Sequence, residues 1–177
     1  MRVFFDTEFT QFRDGQLLSA GFVSDDDRSL YVEVDEPARR AAASDFCQVH
    51  VLPQFGLVPG SAVDSDVEAG RRIAEWLLGL GTTLEVCYDY KLDWRYLQQV
   101  VTLAGRWHAL ASRIQGRDIA SETGQPAALE AQEEFFNGRV RPGRHHALID
   151  AHALRERWRE SRRIAGANGA GALHGAK

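Results

Sequence analysis

The chain has 177 residues, 44% of them hydrophobic, enough for one compact domain with a substantial core. No apolar stretch approaches bilayer length, and the N-terminus lacks the basic, apolar and small-residue sections of a signal peptide, so no membrane association and a cytoplasmic location are expected. The formal net charge of -4 argues against a protein that coats polyanions indiscriminately. Cys47 and Cys87 stand outside any CxxC or Cys/His cluster and read as buried thiols, not as a disulfide or zinc ligands.

Met1 to Phe9 is an apolar run that ends in Asp6 and Glu8. In a strand, alternation places Arg2, Phe4, Asp6 and Glu8 on one face and Val3, Phe5 and Thr7 on the other. Side-by-side anions repel unless a cation lies between them, and hard divalent ions take such oxygen ligands, so the pair reads as half of a metal site. The plain alternative is a solvated strand end. Gln16 to Ser24 and Ser29 to Val34 are β-rich runs around the polar turn Asp25 to Arg28, which predicts a three-stranded antiparallel meander.

Ser44 to Leu52 reads as a short helix stopped by Pro53, and Pro59-Gly60 marks a loop. Ser65 to Glu68 fits a capping box, followed by Ile73, Ala74, Trp76, Leu77 and Leu80 at helical spacing, with Gly81 placed to end the helix. Thr82 to Tyr88 returns to a strand, after which Asp89 is placed to cap a helix with the stripe Leu92, Tyr96, Leu97, Val100 and Val101. Ile114 to Ala120 predicts a strand and Ala127 to Phe136 a helix. Pro142-Gly143 precedes a last helix with the stripe Ala147, Ala151, Leu154 and Trp158, expected to run to about Arg163. Residues 165 to 172 hold no large apolar side chain, so 164–177 is expected to be a disordered C-terminal tail. Three strands followed by strands alternating with helices predict an α/β fold, a mixed sheet flanked by helices, within residues 1–163.

Charge is uneven along this order. From Asn137 to Arg163 eight arginines meet only Asp150, Glu156 and Glu160, leaving the remainder acidic. A phosphodiester enzyme needs arginines for phosphates beside carboxylates for metals; a solvated basic helix face is the alternative.

Asp6 and Glu8, then Asp93 early in a helix entered from a strand, then His145 and Asp150 at the start of the last helix form an ordered set. In Phe5-Asp6-Thr7-Glu8-Phe9, in Tyr88 to Leu97 around Asp93, and in His145-His146-Ala147-Leu148-Ile149-Asp150, the sequence resembles the DEDDh group of ribonuclease-H-like 3'-to-5' exonucleases. The resemblance spans residues 2 to about 160. The first strand at the start of the chain and His50-Val51-Leu52-Pro53 look most like the small bacterial exoribonucleases of the mycobacterial type. Asp89 departs from the pattern, since many relatives carry Asn there.

The resemblance implies a ribonuclease-H-like sheet and a hydrolase that releases nucleoside 5'-monophosphates from the 3' end of RNA. It implies two magnesium or manganese ions, about 3.5 to 4 Å apart in such enzymes, with Asp6 bridging, Glu8 and Asp150 on the nucleophile side and Asp93 on the other. It also implies a homodimer, and a single-stranded or 3'-overhanging RNA substrate with DNA as the alternative. His145 would be the general base; helical spacing instead favours His146, one turn before Asp150, and the conflict vanishes if His145 precedes the helix. His146 is then a candidate substrate contact. Thr7 and Phe9 are candidates for the strand terminus, Phe9 being equally a core candidate, and Trp94 for the cleft wall. Arg141 and Arg144 are the preferred phosphate contacts, with Arg155 to Arg163 solvated or interfacial. The rivals are an exodeoxyribonuclease with the same site, a nucleic-acid-binding domain that has lost activity, and an unrelated acidic α/β protein.

Overall fold

The computed structural model describes residues 1–81, 83–139 and 141–172. Strand β1 (Arg2–Phe9) lies inside a six-stranded sheet, antiparallel to β2 (Leu17–Ser24), which is antiparallel to β3 (Ser29–Val34). The meander therefore forms as its alternation predicts. Beyond β3 lies the two-residue β4 (Ala62–Val63), and on the other side of β1 lie β5 (Leu84–Tyr88) and β6 (Ile114–Asp118), all three joined in parallel. The spatial order is β4-β3-β2-β1-β5-β6, a mixed sheet.

Seven helices join these strands among the described residues: α1 (Pro37–Ala42), α2 (Asp45–His50), α3 (Asp66–Gly79), α4 (Lys91–Leu103), α5 (Trp107–Ala111), α6 (Pro126–Asn137) and α7 (Ala147–Ala172). Pro53 falls within a 3-10 turn, Leu52–Gln54, that closes α2. Ser65 caps α3 by accepting from the Glu68 amide, whereas the Glu68 carboxylate turns to Arg71 and Arg72. Asp89 does not cap α4, whose N-cap is Tyr90. Elements α1, β4 and α5 carry no repeating apolar face long enough to announce them.

Alternation along β1 sorts the core. Val3 and Phe5 join Phe22, Ile73, Leu77, Leu97 and Val100 on the α3/α4 side, with Phe5 stacked on Phe22 at 5.2 Å. Phe4 points to the opposite face, where Val23, Cys87, Ala151, Leu154 and Trp158 lie beneath α7. Full burial of such a side chain contributes about 1.5 to 3 kcal/mol relative to exposure. Every residue of β2 is buried, as a strand covered on both faces requires. Cys47 and Cys87 are buried free thiols.

Helix α7 does not stop near Arg163. It continues to Ala172, with residues 165 to 167 exposed, so the expected tail is helical up to that point; residues 173–177 lie outside the described residues. Residues 164–172 hold four alanines but also three glycines, so local propensity does not account for the extension, which continues from the packed turns before it. Arg155 and Arg157 are buried rather than solvated: Arg155 donates to the Ser24 carbonyl at 3.0 Å and pairs with Asp27 at 2.7 Å. No described helix is long and apolar enough to cross a membrane.

Candidate active site

Gly21 of β2 pairs with Asp6 of β1, and it is the point where α7 meets the sheet. A Cβ there would stand 2.1 Å from Leu148 N and 2.3 Å from the Ala147 carbonyl carbon. The absence of a side chain lets the first turn of α7 lie on the strand, which brings Asp150 to the acidic end of β1. The β1/β2 register shifts between Glu8 and Phe9, an irregularity that re-aims side chains at a strand end.

The resulting cleft has a volume of about 560 Å³, and its lining includes Asp6, Glu8, Asp93, Asp150, His145 and Phe9. Ligating atoms of Glu8, His145 and Asp150 lie within 4.8 Å of one another, as do those of Asp6, Asp89 and Asp93. The structure thus unites all five residues of the expected set and adds Asp89. Asp89 is held by Arg157 of α7 at 2.8 Å, so the departing residue is an ion-paired wall of the cleft.

Asp93 is positioned from β1. Thr7 donates to its Oδ1 through both the hydroxyl, at 2.6 Å, and the backbone N–H, at 3.3 Å. Its Oδ2 is buried with no partner. Thr7, expected at the strand terminus, lines the cleft, and its two donors are committed to Asp93, so it also orients that carboxylate.

Burial dominates the electrostatics, and neighbouring carboxylates add to it. Burial, followed by Asp93, Asp150 and Glu8, raises the Asp6 carboxyl well above its ordinary range. Burial, followed by Asp150 and Asp93, does the same to Glu8. Burial pushes Asp93 to about 7 despite the Thr7 hydrogen bonds, and pushes Asp150 to about 7 despite the His145 backbone and Arg144. Such groups are fully ionised together at neutral pH only with a compensating cation, and the ionised carboxylates, acceptor-only, suit a hard divalent ion.

His145 precedes α7 and has a positive φ of 66°, a backbone conformation that a non-glycine residue adopts only when its surroundings hold it. Its Nδ1 lies 4.0 Å from Glu8 Oε1, and its ring meets Phe46 edge-on at 4.8 Å. Burial, with His50 and Arg144 nearby, lowers its pKa. His146 turns the other way. It is 1% exposed, stacks on Tyr31 at 4.2 Å and leaves both ring nitrogens without a partner, so it cannot touch substrate.

Trp94 also misses the cleft. It is sandwiched between Tyr88 at 5.7 Å and Trp107 at 6.0 Å, in a slot that exists because a Cβ on Gly116 would meet its ring at 2.8 Å. Phe9 lines the cleft while stacked on Tyr96 at 5.1 Å and packed against the core, so its position is compatible with either expected role. Arg144 lies on the lip, over the Phe136 ring at 4.2 Å and paired with Glu133. Arg141 lies outside, in an adjoining hollow. The sequence reading missed the exposed aromatic rim of Phe12, Phe46 and Tyr90. Its only signal was large aromatic residues flanked by polar ones, as in Gln11-Phe12-Arg13.

No protein-family model matches the chain, and no curated protein is significantly similar to it. The functional reading therefore rests on the chemistry of this cleft and on the motifs that build it.

Proposed function

We propose that the protein is a metal-dependent 3'-to-5' exoribonuclease of the ribonuclease-H-like DEDDh kind, releasing nucleoside 5'-monophosphates. The observation that carries this is the convergence of Asp6, Glu8, Asp93 and Asp150 with His145 in one cleft, with the carboxyls all raised by burial and, secondarily, by neighbouring carboxylates. The unpartnered Asp93 Oδ2 and the purely oxygen acceptors fit two magnesium or manganese ions. When bound, such ions polarise a phosphodiester and lower the pKa of a water.

The residues divide the remaining work. By the resemblance, Asp6 would serve both ions, Glu8 and Asp150 would hold the one beside His145, and Asp93, aligned by Thr7 and grouped with Asp6, would hold the other. His145, kept neutral by its lowered pKa, accepts the proton of the attacking water. Phe9 offers a ring face to the terminal base, a contact that tolerates any sequence. RNA is proposed over DNA from the resemblance of the motifs to the small bacterial exoribonucleases.

The test is digestion of 5'-labelled RNA and DNA of equal sequence with magnesium or manganese, for the wild type and Asp6→Ala. The expected result is a 3'-end ladder, stronger on RNA and lost in the variant. Undiminished activity in Asp6→Ala would overturn the two-metal assignment, and a stronger ladder on DNA would reassign the substrate.

A further inference from the structure

A second hollow of about 400 Å³ adjoins the cleft and shares Phe136 and Arg144 with it. Its lining holds Arg139, Arg141, His50 and Asn137, and no acidic residue. Most arginines of this chain carry an acidic partner, yet among the described residues neither Arg139 nor Arg141 has one within ion-pair distance. Arg139 is laid over the Phe135 ring at 4.3 Å.

The hollow has a built floor. The buried Gln54 amide donates to the Arg144 carbonyl at 2.8 Å and the His50 carbonyl at 2.9 Å, while its oxygen accepts from Gly143 N at 2.8 Å. One side chain thus fixes the segment bearing Arg144 against α2. Among the described residues lining the cleft, Arg144 is the only guanidinium, and it stands on the wall between the two spaces. On the exonuclease reading, a phosphodiester chain leaving the acidic cleft would pass Arg144, itself paired with Glu133, and then Arg139 and Arg141.

We infer that the Arg139/Arg141 hollow is an upstream subsite for internal phosphates of the substrate strand, which makes the enzyme prefer oligonucleotides over dinucleotides. This rests on the exonuclease reading, and names the length of substrate that the site takes. Unpaired guanidiniums recognise phosphate without reading sequence, which suits a degradative enzyme.

The test compares kcat/KM on 5'-labelled RNA of two and eight nucleotides for the wild type and the double variant Arg139→Ala/Arg141→Ala. Both side chains are exposed, and unchanged melting temperatures confirm folding. The expected result is a loss of about tenfold on the eight-mer with less than twofold on the dinucleotide, and a salt dependence shallower by about 1.4 in log-log slope, for two single-strand phosphates. Equal losses at both lengths, or none, would overturn the subsite while leaving the exonuclease reading intact. A variant that loses only inhibition by inorganic phosphate would place a separate anion there and also overturn it. A wild type that cleaves neither length defeats the exonuclease reading and the subsite with it.

Discussion

Thr7 aims Asp93, the carboxylate proposed as a metal ligand. Both of its donors converge on Asp93 Oδ1, leaving Oδ2 for a cation. Thr7→Val keeps the shape and removes the hydroxyl, and loss of such an orienting bond typically costs 10- to 100-fold in metal affinity. The expected outcome is a metal-activation curve displaced about tenfold or more to higher concentration, with the melting temperature of the metal-free protein little changed. An unshifted curve would show that Asp93 needs no help. His145 yields a pH prediction. The base must be neutral, so activity is gained as pH rises through its pKa, which lies below the ordinary 6.5. Protons also compete with metal at Asp93 and Asp150, both near 7. At limiting metal the acid limb of the rate profile should therefore lie near 7, and saturating metal should move it below 6.5; a limb that ignores metal concentration would contradict the competition. The carboxylates and His145 were picked out by the resemblance of their motifs, since strand and helix position alone left the acidic pair ambiguous and favoured His146. Thr7's partner, the burial of His146 and the aromatic rim were not, because each depends on which segments meet across the fold.

At the scale of elements, the site depends on how closely α7 approaches β2. Gly21→Ala places a methyl 2.1 Å from the Leu148 amide, where backbone and not a flexible side chain must yield. Overpacking of this kind costs about 1 to 3 kcal/mol. A displacement of α7 by about 1 Å carries Asp150 away from Glu8, and misplacement on that scale costs on the order of a hundredfold in rate. The expected variant is folded, lowered in melting temperature and nearly inactive at any metal concentration. Retention of full activity would mean that α7 is not what sets Asp150. Strands β1, β2 and β3 and helices α3 and α4 were readable because each carries a full apolar period. The two-residue β4 and the one- to two-turn α1 and α5 have too few residues to show a face, and the extension of α7 past Arg163 runs through three glycines, so the local sequence does not announce it. Gly21 carried no signal at all, since a glycine in a strand does not say which element lies across it.

For the whole molecule, the crowded carboxylates couple stability to pH and to metal. Asp93 and Asp150 titrate near 7 in the folded chain against an ordinary 3.8, so between these values the native state binds protons that the unfolded chain has released. Their contribution to stability is complete below about pH 3.8 and is lost as pH rises through about 7. The metal-free protein should therefore be penalised most at pH 8, where both groups are forced to ionise without a partner. Asp150→Asn removes one of these charges. In chelator at pH 8 the variant should melt above the wild type by about 3 °C or more, the shift that roughly 1 kcal/mol produces in a domain of this size, and the gap should narrow as pH falls below 7 and close only near pH 3.8. Manganese should reverse the order, because an ion that binds only the folded wild-type site raises its stability in proportion to RT ln(1 + [L]/Kd). A stabilising Asp150→Asn that also loses activity is the signature of a residue kept for chemistry at the expense of the fold. A metal-free Asp150→Asn that melts below the wild type at pH 8 would instead make Asp150 a structural residue and remove one of the four carboxylates on which the nuclease reading stands.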